Sequence, residues 1–456
     1  MKILIAGDGK VGLALTKQLL REGHDVVVID TNQAVLSNNE VETEAMAVNG
    51  NAAAMDTLIR AGVRDAELLI AATNSDETNI LCCLTGRKLN KKIHTIARIR
   101  NGEYSKQLAM LHEELGLSMT INPEQSAARE IFRLLQFPDF LKRETFAKGR
   151  VELVELKIRP DSKLKDIKLM DLYKIIRIKV LICAVARGNE VIIPSGDFVL
   201  KEGDHIYVTA AASDLTILLK NLGITPKEIW SILLVGGGRI GRHLARRLLK
   251  AGADVKIIEK NPEQARVLAE EFPKAEVVIG DGTSQSFLQS EGITEADSVV
   301  TLTDIDEENL VVSMYANVLG VPKIITKMNR LEYVSVLGDI GIGSVVSPKA
   351  ICCQEIVRYV RAMQNQKGSI ISLHRVANDR AEALEFRVDS SVRHRGIPLK
   401  DVPIKKGVLI FAITHNGVTT IPDGNSTFEI GDTVSIITAN SSLVQGMNDI
   451  FQNEIL

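Results

Sequence analysis

The chain has 456 residues, 45% of them hydrophobic, and 55 Lys+Arg against 57 Asp+Glu leave a formal net charge of -2. That length supplies about three domains, and a balanced charge argues against nucleic acid as a partner, which needs a strongly basic face. No stretch approaches the roughly 20 apolar residues that span a bilayer, and the most suspicious run, 174–186, carries Lys174, Arg177 and Lys179.

The first residues enter a strand pattern at once, Met1 to Ala6, with no room for a signal peptide. The glycine loop Gly7-Asp8-Gly9-Lys10-Val11-Gly12 follows, and Val11, Leu15 and Leu19 then keep helical spacing. Val26 to Ile29 is a second buried strand, closed by Asp30. Strand, glycine turn, helix and strand make a βαβ unit. Leu68 to Ala71 predicts another buried strand, 79–89 a helix and Ile93 to Ile99 a further strand, an alternation that predicts a doubly wound parallel sheet.

From Gln136 to Gly149 the pattern reads as a connector, and from Val151 it changes to the alternation of a half-exposed strand. Val180 to Ala186, a turn at Arg187-Gly188-Asn189-Glu190 and Val191 to Ile193 read as a hairpin, and Ile206 to Val208 as one more strand. This is a small α+β piece.

Then the chain repeats itself. The run from Lys2 through Gly12 returns as Ser231-Ile-Leu-Leu-Val-Gly236-Gly237-Gly238-Arg239-Ile240-Gly241. Asp30 returns as Glu259, Asn49-Gly-Asn51 as Ile279-Gly-Asp281, and Thr73-Asn74 as Thr303-Asp304. Arg98 and Tyr104 match Lys327 and Tyr333, and Asn122-Pro123 matches Ser347-Pro348. In the small piece Ile193-Pro-Ser-Gly196 matches Ile421-Pro-Asp-Gly424, and Gly203-Asp204 matches Gly431-Asp432. Strands are expected again at 232–235, 255–258, 299–302 and 323–327, with a helix at 240–249. A second small piece should place strands at 384–388, 409–414, 418–421 and 434–438. The expected fold class is therefore α/β: two tandem doubly wound Rossmann-type domains, 1–135 and 230–355, each followed by a small α+β domain, 150–222 and 369–453.

A lone GxGxxG is weak. Here each copy follows a strand, opens a helix and precedes an acid that closes the next strand, Asp30 after Gly12 and Glu259 after Gly241, at equal spacing. Gly7 and Gly236 permit the turn, Gly9 and Gly238 leave no side chain before a pyrophosphate, and Gly12 and Gly241 allow close packing. Free N–H groups and a positive dipole at the helix start face the phosphates. Asp30 and Glu259 can accept from ribose hydroxyls and repel a 2′-phosphate, favouring NAD over NADP. The competing reading is a glycine turn kept only for packing. Thr73 and Asn74 end a strand at the edge where such sheets bind ligands. Arg98 reaches a phosphate or forms a surface ion pair, and Lys10 and Arg239 lie inside the loops.

Five cysteines (Cys82, Cys83, Cys183, Cys352, Cys353) read as small core residues, and the eight histidines show no metal spacing. No nucleophile or carboxylate pair stands out, so no catalytic residue and no metal ligand is assigned. An NAD-dependent oxidoreductase, or a sensor of a different small ligand, is the alternative.

The order Rossmann piece, small piece, Rossmann piece, small piece resembles two tandem units of the RCK or KTN family that regulates potassium conductance. The resemblance rests on the first glycine loop, Asp30, Asn49-Gly-Asn51, 73–76, Ala97-Arg98, and the small-piece motifs at 193–196 and 202–204. With intact glycine loops in both halves it resembles the peripheral NAD-binding subunit of Trk-type systems. That resemblance implies a non-enzymatic, cytoplasmic homo-oligomer held to the membrane through a potassium-translocating Trk-type subunit, without inserting itself, and switched by NAD(H) or ATP/ADP. Carried over, the first site is Gly7 to Val11, Asp30, Asn51, Thr73, Asn74 and Arg98. The second is Gly236 to Ile240, Glu259, Asp281, Thr303, Asp304 and Lys327. Since Asp281 and Asp304 replace Asn51 and Asn74, and Lys327 replaces Arg98, the second site is expected to be more negative and weaker for polyphosphates.

Overall fold

The computed structural model describes residues 1–104, 107–108, 115–136, 142–188, 190–211, 214–222, 231–330, 342–364, 370–377, 380–439, 444 and 446–452. Asn189 and Tyr333, two positions used in the sequence argument, lie outside them, as does the side chain of Lys10.

The first half opens with six strands: β1 (Lys2–Ala6), β2 (Asp25–Asp30), β3 (Met46–Asn49), β4 (Leu68–Ala71), β5 (His94–Arg98) and β6 (Met119–Ile121). They form one sheet of order β3-β2-β1-β4-β5-β6, parallel at every pairing. Continuous apolar runs make sense there. β4 is buried along its whole length because helices cover both faces. The order reverses between β1 and β4, which opens a crevice above their carboxyl ends. The helices Lys10–Arg21 and Asp76–Leu89 start at that edge.

A five-stranded sheet follows, built from β7 (Lys142–Phe146), β8 (Val151–Lys157), β9 (Leu181–Arg187), β10 (Glu190–Ile192) and β11 (His205–Ala211) in the order β10-β9-β11-β8-β7, all antiparallel. The expected connector over 136–149 is thus corrected. Most of its described part is β7, which pairs with β8 and belongs to the small sheet.

The second half repeats both sheets. β12 (Ser231–Val235), β13 (Asp254–Glu259), β14 (Glu276–Ile279), β15 (Ser298–Thr301), β16 (Lys323–Lys327) and β17 (Ser344–Val346) take the order β14-β13-β12-β15-β16-β17. β18 (Ile370–Val376), β19 (Ala381–Arg387), β20 (Val408–His415), β21 (Val418–Thr420) and β22 (Thr433–Thr438) take the order β18-β19-β22-β20-β21, the strand order of the first small sheet.

The halves are interlocked. The helix Pro123–Gln136 leaves the first sheet carrying Ala127, Ile131, Leu134 and Leu135 on one stripe. Those side chains are buried not at home but in the second half, against Ile240, Leu244 and Leu248 of the helix Arg239–Lys250. In return the helix Pro348–Gln364 buries Cys352, Ile356, Val357 and Val360 against Val11, Leu15 and Leu19. The guanidinium of Arg361 donates to both Glu22 oxygens, at 3.0 and 2.8 Å, and the Tyr359 hydroxyl lies 2.8 Å from His94 Nδ1. The small sheets also share a core, in which Phe146, Cys183 and Tyr207 of one pack with Phe411, Ala383 and Ile437 of the other. All five cysteines are buried and unbridged, and burial pushes the Cys82 thiol up to about 12, as core residues require.

Candidate nucleotide cleft between the two halves

At the first crevice the chain leaves β1 through Gly7 at φ +96°, a conformation that favours glycine, and a Cβ there would stand 2.8 Å from the Thr73 backbone nitrogen. A Cβ on Gly12 would meet the Gly7 carbonyl oxygen at 1.9 Å, so its constraint comes from the loop itself as well as from helix packing. Gly9 differs. A Cβ there meets nothing within 4 Å, because the position faces open space. The second loop reproduces this: Gly236 has φ +111°, Gly241 abuts the Gly236 carbonyl, and Gly238 faces open space.

The acids that close the second strands brace these loops. One Asp30 oxygen accepts from the Asp8 N–H at 2.7 Å and the other from the Asn32 N–H at 2.8 Å. Glu259 accepts from the Gly237 N–H at 3.0 Å and the Asn261 N–H at 2.9 Å. Each carboxylate keeps further lone pairs for a ligand hydroxyl.

Two residues that the sequence reading did not assign to the site organise the opposite lip. Asn79 is fully buried, and its carboxamide oxygen accepts from the Thr73 N–H at 2.8 Å and the Thr73 hydroxyl at 2.7 Å. Its amide donates to the Arg98 carbonyl at 2.9 Å, joining the ends of β4 and β5. Asp76 accepts from the N–H groups of Arg100 and Asn101, at 2.9 and 2.8 Å, and fixes the chain beyond β5. In the second half Asn309 joins Thr303 to the Lys327 carbonyl, and Asp306 holds Asn329 and Arg330. The signal lay in the repeat, where Asp76 and Asn79 return as Asp306 and Asn309 in the same register as Thr73 and Thr303.

A cavity of about 1180 Å³ runs across both crevices. From the first half it is lined by Gly7, Gly9, Val11, Asp30, Asn51, Thr73, Asn74 and Arg98, and from the second by Gly238, Arg239, Ile240, Asp304 and Lys327. Glu124, Gln264 and Lys349 border it as well. Asp8, Gly12, Gly236, Gly237, Gly241, Glu259, Asp281 and Thr303 do not border it.

The cleft carries positive side chains from both halves, Arg98 from the first and Arg239, Lys327 and Lys349 from the second. Arg98 is largely buried, at 14% side-chain exposure, rather than a surface residue, and its ion partner is Glu124 at 3.8 Å. Arg239, from the second glycine loop, stands 3.8 Å from the same Glu124 oxygen. Burial first, and then Arg98 and Arg239, push the Arg100 guanidinium below its ordinary value, while Arg100 also donates to the Asn74 carbonyl.

Of the lysines beside the second site's two added carboxylates, Lys260 is new to this half and Lys327 takes the place of Arg98, so the set still carries one more negative charge than the first. Lys327 Nζ stands 3.2 Å from Asp304 and donates to the Thr303 carbonyl at 3.0 Å. Lys260, where the first half has Thr31, meets Asp281 at 2.7 Å. Hydrogen bonds from Lys260 and then Thr283 hold the Asp281 carboxyl down at about 2. Each added carboxylate is answered by a lysine.

Comparison with known proteins accords with this architecture. Residues 3–123 and 232–348 match the TrkA-N domain, and 153–223 match the TrkA-C domain. The Trk system potassium uptake protein TrkA homolog 1 of Methanosarcina mazei is 33% identical over 454 residues, covering 97% of this chain and 98% of its own. The TrkA homolog of Archaeoglobus fulgidus is 31% identical, with 99% and 100% covered, and TrkA of Halomonas elongata 30%, with 99% of each. Among solved structures the GsuK RCK domain superposes with a TM-score of 0.63 at 20% identity, covering 96% of this chain and 92% of that one. No helix among the described residues is long and apolar enough to cross a membrane. Two parallel Rossmann-type sheets bearing the TrkA-N match, each followed by a small antiparallel sheet, and full-length similarity to three TrkA proteins place this chain in the TrkA family of Trk system potassium uptake proteins.

Proposed function

We propose that the chain is a non-catalytic, nucleotide-binding regulatory subunit that controls potassium flux through a Trk-type membrane subunit from its cytoplasmic face, as a homo-oligomer. The observation that carries this reading is the shared cleft: Gly7 and Gly9 of one glycine loop and Gly238 of the other open onto it, with Asp30 at the end of β2 and Arg98 and Arg239 in its lining. NAD(H) or an adenine nucleotide fits it. Gly9 leaves space for a pyrophosphate at a helix N-terminus, Asp30 offers acceptors to a ribose, Asn51 and Thr73-Asn74 border the same space, and Arg98 supplies positive charge. The GsuK channel, which shares the fold, has been solved bound to NAD and bound to ADP. The second set, Gly236 to Ile240, Glu259, Asp281, Thr303, Asp304 and Lys327, is read as a weaker site, since its lysines are engaged by internal carboxylates.

A cleft lined by both halves also suits a switch. A ligand shifts an equilibrium only by its differential affinity for two states, and one that touches both halves senses their separation. Calorimetric titration with NADH, NAD, ATP and ADP tests the reading. Saturable binding that Gly9→Asp abolishes is expected, because a carboxylate would occupy the pyrophosphate position. No binding by any of the four would overturn it. Arg98→Ala should weaken ATP about tenfold, the scale of one charge-assisted contact, and leave adenosine nearly unchanged. Equal losses would remove Arg98 from the phosphate end.

A further inference from the structure

We propose that Lys349, carried by the second half, is a specificity-determining residue of the first half's nucleotide site: its ammonium group pairs with the phosphates of a ligand held on the first glycine loop, so that this site favours longer phosphate chains. The inference rests on the nucleotide reading above and adds to it a residue from across the cleft.

Lys349 lies in the first turn of the helix Pro348–Gln364 and is half-buried. That helix does not stay with the sheet it leaves. Its Cys352, Ile356, Val357 and Val360 are buried on Val11, Leu15 and Leu19 of the helix Lys10–Arg21, the helix that the first glycine loop opens. The starts of both helices border the one cavity, Pro348 and Lys349 from the first of them and Gly9 and Val11 from the second. The other exchanged helix shows how close such an approach is. Glu124, at the same place after Pro123, stands 3.8 Å from Arg239, which follows Gly238 as Lys10 follows Gly9. By the repeat, Lys349 faces the first loop as Glu124 faces the second.

The two crevices are alike in backbone, yet each is completed from across the cleft by a side chain of opposite charge. At the first loop that side chain is a cation, and it adds to a helix N-terminus whose N–H groups already favour an anion. The other second-half lysine on the lining is engaged, since Lys327 Nζ stands 3.2 Å from Asp304 and 3.0 Å from the Thr303 carbonyl. A lysine ammonium is a point charge on a flexible stem, with three donors and no fixed fork. It can follow a phosphate chain and pair with its end without demanding one orientation. Arg98, on the same lining from the first half, supplies the bidentate partner, so a triphosphate meets cations from both halves and adenosine meets neither.

The test is calorimetric titration of the full chain, of Lys349→Gln and of Lys349→Arg with ATP, ADP and adenosine at low and high salt. The glutamine removes the charge and the arginine keeps it. We expect Lys349→Gln to weaken ATP about tenfold, the scale of one charge-assisted contact, with a smaller loss for ADP and none for adenosine. Lys349→Arg should keep most of the ATP affinity, and the gap between wild type and Lys349→Gln should narrow as salt screens the contact. Any binding that survives Gly9→Asp belongs to the second crevice, and adding Lys349→Gln should leave it unchanged. A loss there would overturn the assignment to the first site. Unchanged ATP binding in Lys349→Gln, or an equal loss for adenosine, with the wild-type chain binding normally, would overturn this inference alone. If the wild-type chain binds no nucleotide, the functional reading falls and this one with it.

Discussion

Asn79 has no solvent exposure, and its four hydrogen bonds tie Thr73 to Arg98 across two neighbouring strands. Truncation would leave the Thr73 N–H and the Arg98 carbonyl short of partners in a buried setting. Asn79→Ala should therefore cost about 2 kcal/mol, read as a lowered denaturant midpoint with an unchanged slope. A change below about 0.5 kcal/mol, the range of an ordinary surface substitution, would show that other groups replace it. The glycine loops and their acids were legible in the sequence because a backbone turn at a strongly positive φ accepts few residue types, so composition and spacing report the geometry. Asp76 stood in the motif at 73–76, but neither it nor Asn79 was assigned to the site, since Asn or Asp at a helix start is ordinary capping material. The counter-ions of the second site went unread for a different reason. Counting Asp281 and Asp304 predicts a more negative site, but the lysines that answer them, Lys260 and Lys327, are distant in sequence and come beside them only once strand ends are adjacent.

The parallel strands and the helices that open at their ends were readable from apolar runs and helical periodicity. The short edge strands β3, β6, β14 and β17 were not, because so few residues carry no period. The amphipathic stripe of Pro123–Gln136 is visible in sequence, but periodicity tells which face is buried and not against what. Docking into the other half gives it a distinct consequence. Ile131→Ala should cost about 2–4 kcal/mol, as for other fully buried large-to-small changes. The lost hydrogen-exchange protection should appear in Arg239–Lys250, in the other half of the chain. If only the first half loosens, the exchange of helices is not what stabilises the second. The reciprocal helix, Pro348–Gln364, docks close to two histidines. His24 is buried with neither ring nitrogen hydrogen bonded, and His94 meets Tyr359. Burial first, then nearby positive groups (the N-terminus for His24, Arg87 for His94), lowers both below the ordinary 6.5. A folded-state value below the unfolded one means that neutral imidazole is favoured by folding. The stabilisation is complete above about pH 6.5 and is lost as pH falls toward the folded values. Protection of 348–364, corrected for intrinsic exchange, should thus drop between about pH 7.5 and 5.5, and equal protection at both would exclude the histidines as the cause.

At the scale of the molecule the duplication was legible and the interlocking was not, because an internal repeat states that two units exist and says nothing of how they meet. Among the described residues they are joined by the exchanged helices, the shared core of the small sheets, and the ion pairs Arg239–Glu124 and Arg361–Glu22. Val11, Leu15 and Leu19 of one helix seat correspond, position for position in the repeat, to Ile240, Leu244 and Leu248 of the other. Each half alone therefore presents an empty seat and an undocked apolar helix of matching design. Burying Ile131, Leu134, Leu135, Ile356, Val357 and Val360 contributes about 2 kcal/mol apiece, comparable with the several kcal/mol that association costs before the small sheets add theirs. Residues 1–222 and 231–456, produced as separate chains, should consequently associate in trans, with light scattering giving a one-to-one complex and nucleotide binding restored on mixing. The first half alone should pair with itself through the equivalent seats or aggregate. Two folded, monomeric halves that ignore each other would mean that the exchange of helices is a consequence of the covalent link and not a source of the assembly's stability, and a switch that works through the cleft between them would lose its mechanical basis.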